Sequence, residues 1–434
     1  MTSEKDPNAT AADDPFPETS EIDVSSFESR DASDADVQSV SDSAIRPPYV
    51  SSPSSWAQSG DALLPTADQM VGKQYSRYTL VRSLGAGGMA QVFEGVINGP
   101  GGFAKRVVIK MILPEYAALS DFKDMFVNEA RIAALLSHPN IVQTFDFGEV
   151  NDRLYIAMEH IDGASLQQVF RGAAKSGIPL GPRMAISIGV AIARALEHVS
   201  RIVGVNGEPL DVVHRDITPG NILISRQGEI KLTDFGVVKS TLNVVGTVAG
   251  TVKGKYAYMS PEQVTGQEVD LRSDIFSLGI VLWEIVTQRR LFKYATMAET
   301  ITAVSKASAP KVTGLAPGCP PELARIITKA LAADRRQRYQ TATELLVDLE
   351  TFRDSRNWTV SGREIAALLE TVYPAGQAVR ADFGSASASR KHDLENSVPG
   401  VERPTRAALS WPLLVGAVGL LLLIVTVLWL TVLD

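Results

Sequence analysis

Cysteine is nearly absent. Cys319 is the only one in 434 residues, which excludes a disulfide framework and a thiolate metal cluster, suits a reducing compartment and leaves a buried, inert thiol as its ordinary role. A strong excess of either charge is missing too, because the formal net charge is only −7 and much of it comes from the N-terminal stretch; nothing here argues for nucleic acid as a partner. Large apolar residues are scarce over 1–76, where Ser, Asp, Glu, Ala and Pro follow one another without period. Such a stretch cannot bury enough surface to offset chain entropy, so a disordered acidic tail is expected. No internal repeat is present. Charge is lacking in one more place, the 23 residues from Trp411 to Leu433. As a helix this run would extend about 35 Å, enough to cross a ~30 Å hydrocarbon core. Its C-terminal position excludes a signal peptide, and no folded sequence follows to cover it as a core helix. The expectation is one transmembrane helix over 409–433 in contact with lipid, with Trp411 and Trp429 near the interfaces and Arg403 and Arg406 marking the cytoplasmic side. Only Asp434 lies beyond it, so no outer sensor domain is expected; Gly416 and Gly419, three apart, are poor evidence for a small-residue helix dimer.

What remains is a folded core over 77–353 in which strand-like and helix-like segments alternate, the pattern of an α+β domain. Its first third holds short β-branched runs such as Val107-Val108-Ile109 and one amphipathic helix from about Asp121 to Ser137, with Phe122, Met125, Phe126, Ile132, Leu135 and Leu136 as its apolar stripe. The rest is mostly helical, including Met184–Val199 and a stretch, Ile275–Val286, apolar enough to be buried on most sides. The architecture this implies is bilobal, a small β-rich lobe followed by a larger helical one. Residues 354–408 read as a linker with one short helix at Ser361–Tyr373.

Within the core, Leu84-Gly85-Ala86-Gly87-Gly88-Met89-Ala90-Gln91-Val92 lies between two strand-like segments. Its glycines would let backbone amides approach a nucleotide's phosphates, and would equally serve a tight hairpin. Lys110 ends the next strand, where a buried cation needs an anionic partner, and Glu129, set between apolar positions of the amphipathic helix, is the candidate. A solvated surface charge is the plainer reading of Glu129. Further on stand His214-Arg215-Asp216-Ile217-Thr218-Pro219-Gly220-Asn221, the strand Ile222-Leu223-Ile224, Lys231-Leu232-Thr233-Asp234-Phe235-Gly236, and Ser260-Pro261-Glu262.

In that order these motifs resemble the protein-kinase signature over about residues 78–352, and specifically the eukaryotic-like Ser/Thr kinases of bacteria, in their membrane-anchored, myxobacterial-type form. The resemblance implies the bilobal protein-kinase fold, ATP and Mg²⁺ as cofactors, and protein Ser/Thr hydroxyls as acceptors. Phosphoryl transfer needs positioning and charge neutralisation more than covalent assistance, and each motif supplies part of this. Backbone amides of 85–90, flanked by Leu84 and Val92, would cover the phosphates; Lys110, held by Glu129, would contact them. Asp234 and Asn221 would hold Mg²⁺ through hard oxygens. Asp216 would accept the acceptor's proton. The hinge maps to Glu159-His160-Ile161, whose backbone would bind adenine beside the gatekeeper Met158, and Asp274 and Arg338 match the aspartate that braces the catalytic loop and the arginine that pairs with Glu262. The cell this implies is bacterial, with the folded core on the cytoplasmic face of the plasma membrane.

Four positions depart from the pattern. Ala90 replaces the third glycine and Val108 the small alanine that touches adenine, and neither change removes a charge. The catalytic loop carries Thr218 where Ser/Thr kinases usually carry Lys, and the docking loop carries Lys255 where they carry Thr. This exchange suggests that Lys255 reaches into the site and supplies the cation position 218 lacks, with Thr218 as its hydrogen-bond partner; the alternative is drift in a weakened enzyme. Arg215 suggests pairing with a phosphorylated activation segment, where Ser240, Thr241, Thr247 and Thr251 are the hydroxyls and autophosphorylation between self-associated copies, at Thr247 or Thr251, is the expected source; ordinary loop hydroxyls are the plainer reading. The rival of another class is a membrane-tethered pseudokinase scaffold. Tyrosine specificity is a further alternative because the docking-loop Thr is missing, although Thr218-Pro219-Gly220 does not resemble a tyrosine-kinase loop.

Overall fold

The structure is a computed structural model, and it describes residues 67–87, 89–204, 206–235 and 255–376. The acidic stretch expected to be disordered, Gly88, the activation-segment hydroxyls and the apolar C-terminal run all lie outside the described residues. Among the described residues no helix is long and apolar enough to cross a membrane.

The small lobe is a six-stranded antiparallel sheet in the order β1-β2-β3-β4-β6-β5, with β1 at Gln74–Tyr75, β2 at Tyr78–Gly87, β3 at Ala90–Asn98, β4 at Ala104–Ile112, β5 at Thr144–Val150 and β6 at Arg153–Glu159. Alternation along β4 explains its two faces. Val107, Ile109 and Met111 join Tyr75, Tyr78, Leu80, Phe93 and Tyr155 in one buried cluster, and the residues between them look the other way. Toward that other face packs helix α1, Ser120–Leu135, whose Phe126 and Ala130 meet Ile112, Leu154 and Ile156. Glu129 sits in the same buried stripe as Met125 and Phe126, so it faces inward and not to solvent.

The large lobe is built on α2 (Leu166–Ser176), α3 (Gly181–Ser200), α4 (Leu271–Thr287), α5 (Met297–Ser305), α6 (Pro321–Ala330), α7 (Ala342–Ser355) and α8 (Gly362–Val372). Helix α4 is its axis. Every residue from Ser273 to Thr287 is buried, as the apolar run Ile275–Val286 requires, and α3, α6 and α7 pack around it. A three-stranded sheet, β7 (Gly163–Ser165), β8 (Ile222–Ser225) and β9 (Ile230–Leu232), lies between these helices and the small lobe. The fold continues past residue 353. Ser361 caps α8 in a reciprocal box with Glu364, and Ile365, Leu369, Val372 and Tyr373 are buried in the large-lobe core, so the helix read from Ser361–Tyr373 packs as part of the domain.

Candidate active site

Strand register assembles the roof. Gly85 lies opposite Val92, Ala86 opposite Gln91 and Gly87 opposite Ala90, so the glycine-rich segment is a hairpin that Ala90 closes. Val92 is opposite Lys110, and Val108 is opposite Met158. Directly opposed residues project to one face, so Val92, Val108, Lys110 and Met158 share a single surface. Leu84, Ala90 and Val92 are buried on it or at its edge, and Met89 is half-buried.

Lys110 is the electrostatic centre. Its Nζ is 2.5 Å from Glu129 Oε1 on α1 and 2.9 Å from Asp234 Oδ1 in the large lobe, so one cation joins three elements that come from separate parts of the chain. Burial alone would lower its pKa; the carboxylates of Asp234 and Glu129 outweigh that and raise it, so Lys110 stays charged at neutral pH.

Asp216 is held by a frame of backbone contacts. The fully buried carboxylate of Asp274 on α4 accepts the amides of His214 (2.7 Å) and Arg215 (2.8 Å). Burial pushes that carboxyl up to about 7, against the opposing pull of the two amides and of Arg215. His214 Nδ1 accepts the Asp216 amide at 3.2 Å; its ring proton is therefore on Nε2, which donates to the Thr233 carbonyl at 3.1 Å. Asn221 donates its side-chain amide to the Asp216 carbonyl at 2.8 Å, which leaves Oδ1 as its hard-oxygen donor. Arg215 and Asp234 both have left-handed backbone, φ 66° and 58°, a conformation that Asp tolerates better than most residues and that costs Arg more.

Lys255 joins this group. Its Nζ is 3.1 Å from Asp216 Oδ2, so a residue 39 positions along the chain brings a cation to that aspartate. Thr218, half-buried in the same loop, accepts the Asn221 amide through its carbonyl at 3.0 Å. The short turn after Lys255 is anchored: Ser260 and Gln263 cap the helix Pro261–Val264 reciprocally, Gln263 Nε2 donates to the Arg215 carbonyl at 3.1 Å, and Glu262 meets Arg338 through both carboxylate oxygens at 2.7 and 2.9 Å. The Arg338 side chain is fully buried. Burial also lowers the pKa of Arg215, whose Nε and Nη1 lack a hydrogen-bond partner among the described residues, a guanidinium suited to an anion.

At the hinge, Val107 lies opposite Glu159 in the sheet, and the Glu159 carboxylate turns inward to Lys231 on β9 at 2.9 Å and to the Gln143 amide at 3.2 Å. Glu159 is therefore an internal brace: its side chain is taken by Lys231 and Gln143, and its amide donates to the Gln143 carbonyl at 2.8 Å. Lys231 and Gln263 were not singled out from the sequence; their partners lie 72 and 48 residues away, beyond any local signal.

The hard-oxygen pair Asp234 and Asn221 fits Mg²⁺, and among the described residues no cluster of three His, Cys, Asp or Glu side chains forms a self-sufficient metal site. A divalent ion here would complete its coordination with phosphate oxygens. A cation braced by two carboxylates, a framed aspartate and a glycine hairpin between two lobes are the elements that nucleotide-dependent phosphoryl transfer calls for.

The family described as Protein kinase domain matches residues 78–348, and the chain belongs to it. It is 40% identical over 280 residues to the tyrosine-protein kinase MasK of Myxococcus xanthus, covering 64% of this chain and 43% of that one. It is 36% identical over 289 residues to the serine/threonine-protein kinase PrkC of Bacillus subtilis, covering 66% and 42%. The chain thus spans about two-fifths of the length of these curated relatives. Among solved structures, the PknI kinase domain of Mycobacterium tuberculosis is similar at 25% identity, 64% coverage of this chain, 98% of that one and a TM-score of 0.48.

Proposed function

We propose that this chain is a protein Ser/Thr kinase that transfers the ATP γ-phosphate to protein hydroxyls. The observation that carries the reading is Lys110, held between Glu129 and Asp234 while Asp216 stands framed in the same cleft. The five positions Lys110, Glu129, Asp216, Asn221 and Asp234 are all retained, which argues against a pseudokinase. Lys110 would bind the α- and β-phosphates and Asp216 would orient and deprotonate the attacking hydroxyl. Mg²⁺, when held by Asp234 and Asn221, would supply neutralisation of phosphate charge. Lys255 is assigned the cationic role that Thr218 leaves open in the catalytic loop, steadying the transferring phosphoryl group beside Asp216.

Transfer of labelled phosphate from ATP to a generic protein, lost in Asp216→Asn while nucleotide binding persists, tests the reading; equal turnover in Asp216→Asn overturns it. Tyrosine is the second acceptor class, favoured by the name of the 40%-identical MasK. Phosphoamino-acid analysis of the product separates the two. Regulation follows from Arg215, whose Nε and Nη1, without a partner among the described residues, fit a phosphorylated hydroxyl of the activation segment, produced in trans between self-associated copies. The uncharged run 411–433 supports anchorage in a bacterial plasma membrane with the kinase domain cytoplasmic.

A further inference from the structure

Helix α8 lies outside the family match at 78–348, yet it packs against the chain segments that leave the hinge. Two glycines permit the contact. A Cβ at Gly172, in the middle of α2, would lie 2.0 Å from the Val372 carbonyl oxygen; one at Gly228, in the β8–β9 turn, would lie 1.9 Å from the Gly362 carbonyl oxygen. Gly172 is costly inside a helix, and close backbone approach is what it permits there. Both ends of α8 are thus seated directly on backbone.

The contacts then run inward. Gln168 Nε2 donates to Tyr373 Oη at 3.5 Å, while Gln168 Oε1 accepts the Ser165 amide at 2.8 Å and closes the cap of α2. Ser165 follows the hinge by four residues. The neighbouring Gln167 amide donates to the Pro219 carbonyl in the catalytic loop at 2.9 Å. Arg226 makes a parallel link: its amide donates to the Asp162 carbonyl at 2.8 Å, next to Ile161, and its guanidinium reaches Glu370 Oε2 at 2.6 Å and the Tyr373 carbonyl at 3.4 Å. Glu370 is more than half exposed, so this ion pair adds little by itself. Packing of buried Leu369, Val372 and Tyr373 carries the contact.

We infer that α8 is a positioning element of the nucleotide site: by fixing the first turn of α2 and residue 162, it holds the hinge backbone in the geometry that binds adenine. The inference rests on the kinase reading for the identity of the nucleotide, and its effect should appear in nucleotide affinity more than in turnover.

The test uses the full chain carrying Gly172→Ala, and separately Leu369→Ala, with Leu369→Met as the volume-conserving control. Hydrogen exchange across 362–372 reports whether α8 is displaced, and a fluorescent ATP analogue reports affinity without catalysis. Gly172→Ala and Leu369→Ala should each speed exchange there and raise both the analogue's Kd and the KM for ATP about fivefold, the effect of losing roughly one hydrogen bond's worth of positioning. The values of kcat and of KM for the protein acceptor should stay within about twofold, as expected when only ground-state binding is lost. Leu369→Met should behave as wild type. Faster exchange with unchanged Kd and KM overturns the inference, as does protection of 362–372 that survives both alanine variants, or a loss of kcat with KM unaltered. A wild-type chain that binds the analogue but transfers no phosphate would sink the kinase reading alone, and the affinity arm would remain readable.

Discussion

Replacing Lys255 with alanine is the sharpest perturbation the site offers, because it removes one charge without touching any motif residue. At 3.1 Å from Asp216 and an effective dielectric of ~20, the two unit charges interact by roughly 5 kcal/mol. Lys255 is 43% exposed against 14% for Asp216, so solvent screening leaves about 1.5–3 kcal/mol. If that interaction steadies charge only as the phosphoryl group moves, kcat should fall about ten- to a hundredfold while KM for ATP changes little. Steady-state transfer from labelled ATP to a generic protein, with both substrates varied, separates the two parameters. Thr218→Lys combined with Lys255→Thr should recover about tenfold of the lost rate, since it returns a cation to the same cleft from the other loop. Full kcat in Lys255→Ala refutes the assignment. A rise in kcat would refute it too, and would mean that the ion pair restrains Asp216.

Arg338→Met should cost about 3–5 kcal/mol, because it strands the buried Glu262 carboxylate, and adding Glu262→Gln should restore part of the lost melting temperature in a thermal scan. Burial raises the pKa of Glu262, but the hydrogen bonds from Arg338 and Ser273 prevail and hold it below its ordinary value. Its contribution to stability is therefore complete above the unfolded carboxylate's pKa and is lost as pH falls through the lowered one; the acid limb of melting temperature against pH should be shallower in Glu262→Gln than in wild type. Asp274→Asn should destabilise by about 1–3 kcal/mol and lower kcat, since an amide can accept one of the two backbone N–H groups but presents its own donor to the other; wild-type melting temperature and rate would contradict the frame drawn around Asp216.

That Asp216 and Asn221 meet, and that Asp234 follows close by, was readable from the sequence because each motif is a local run whose spacing is fixed by one loop. Glu129 was readable for a different reason: a carboxylate between Phe126 and Ala130 in an amphipathic stripe has to face inward and find a cation. Helix α8 was legible only as a short periodic segment. Its docking depends on Gly172 and Gly228, more than 130 residues upstream, and nothing in 361–373 reveals that these glycines face it. The Lys231–Glu159 brace escaped notice in the same way, since a lysine in a strand and a glutamate at a strand end each look solvated until the two lobes are brought together.

The left-handed backbone at Arg215 bears on how this protein could be engineered. Glycine there would relieve conformational cost of about 1 kcal/mol, and it would also delete the guanidinium whose Nε and Nη1 have no partner among the described residues, the group proposed above to receive an anion. A library sorted on heat resistance alone would be drawn to that substitution. If the proposed regulatory role holds, selection blind to turnover would thus accumulate sturdier proteins that have lost it, and a stabilisation campaign on this scaffold should hold position 215 constant.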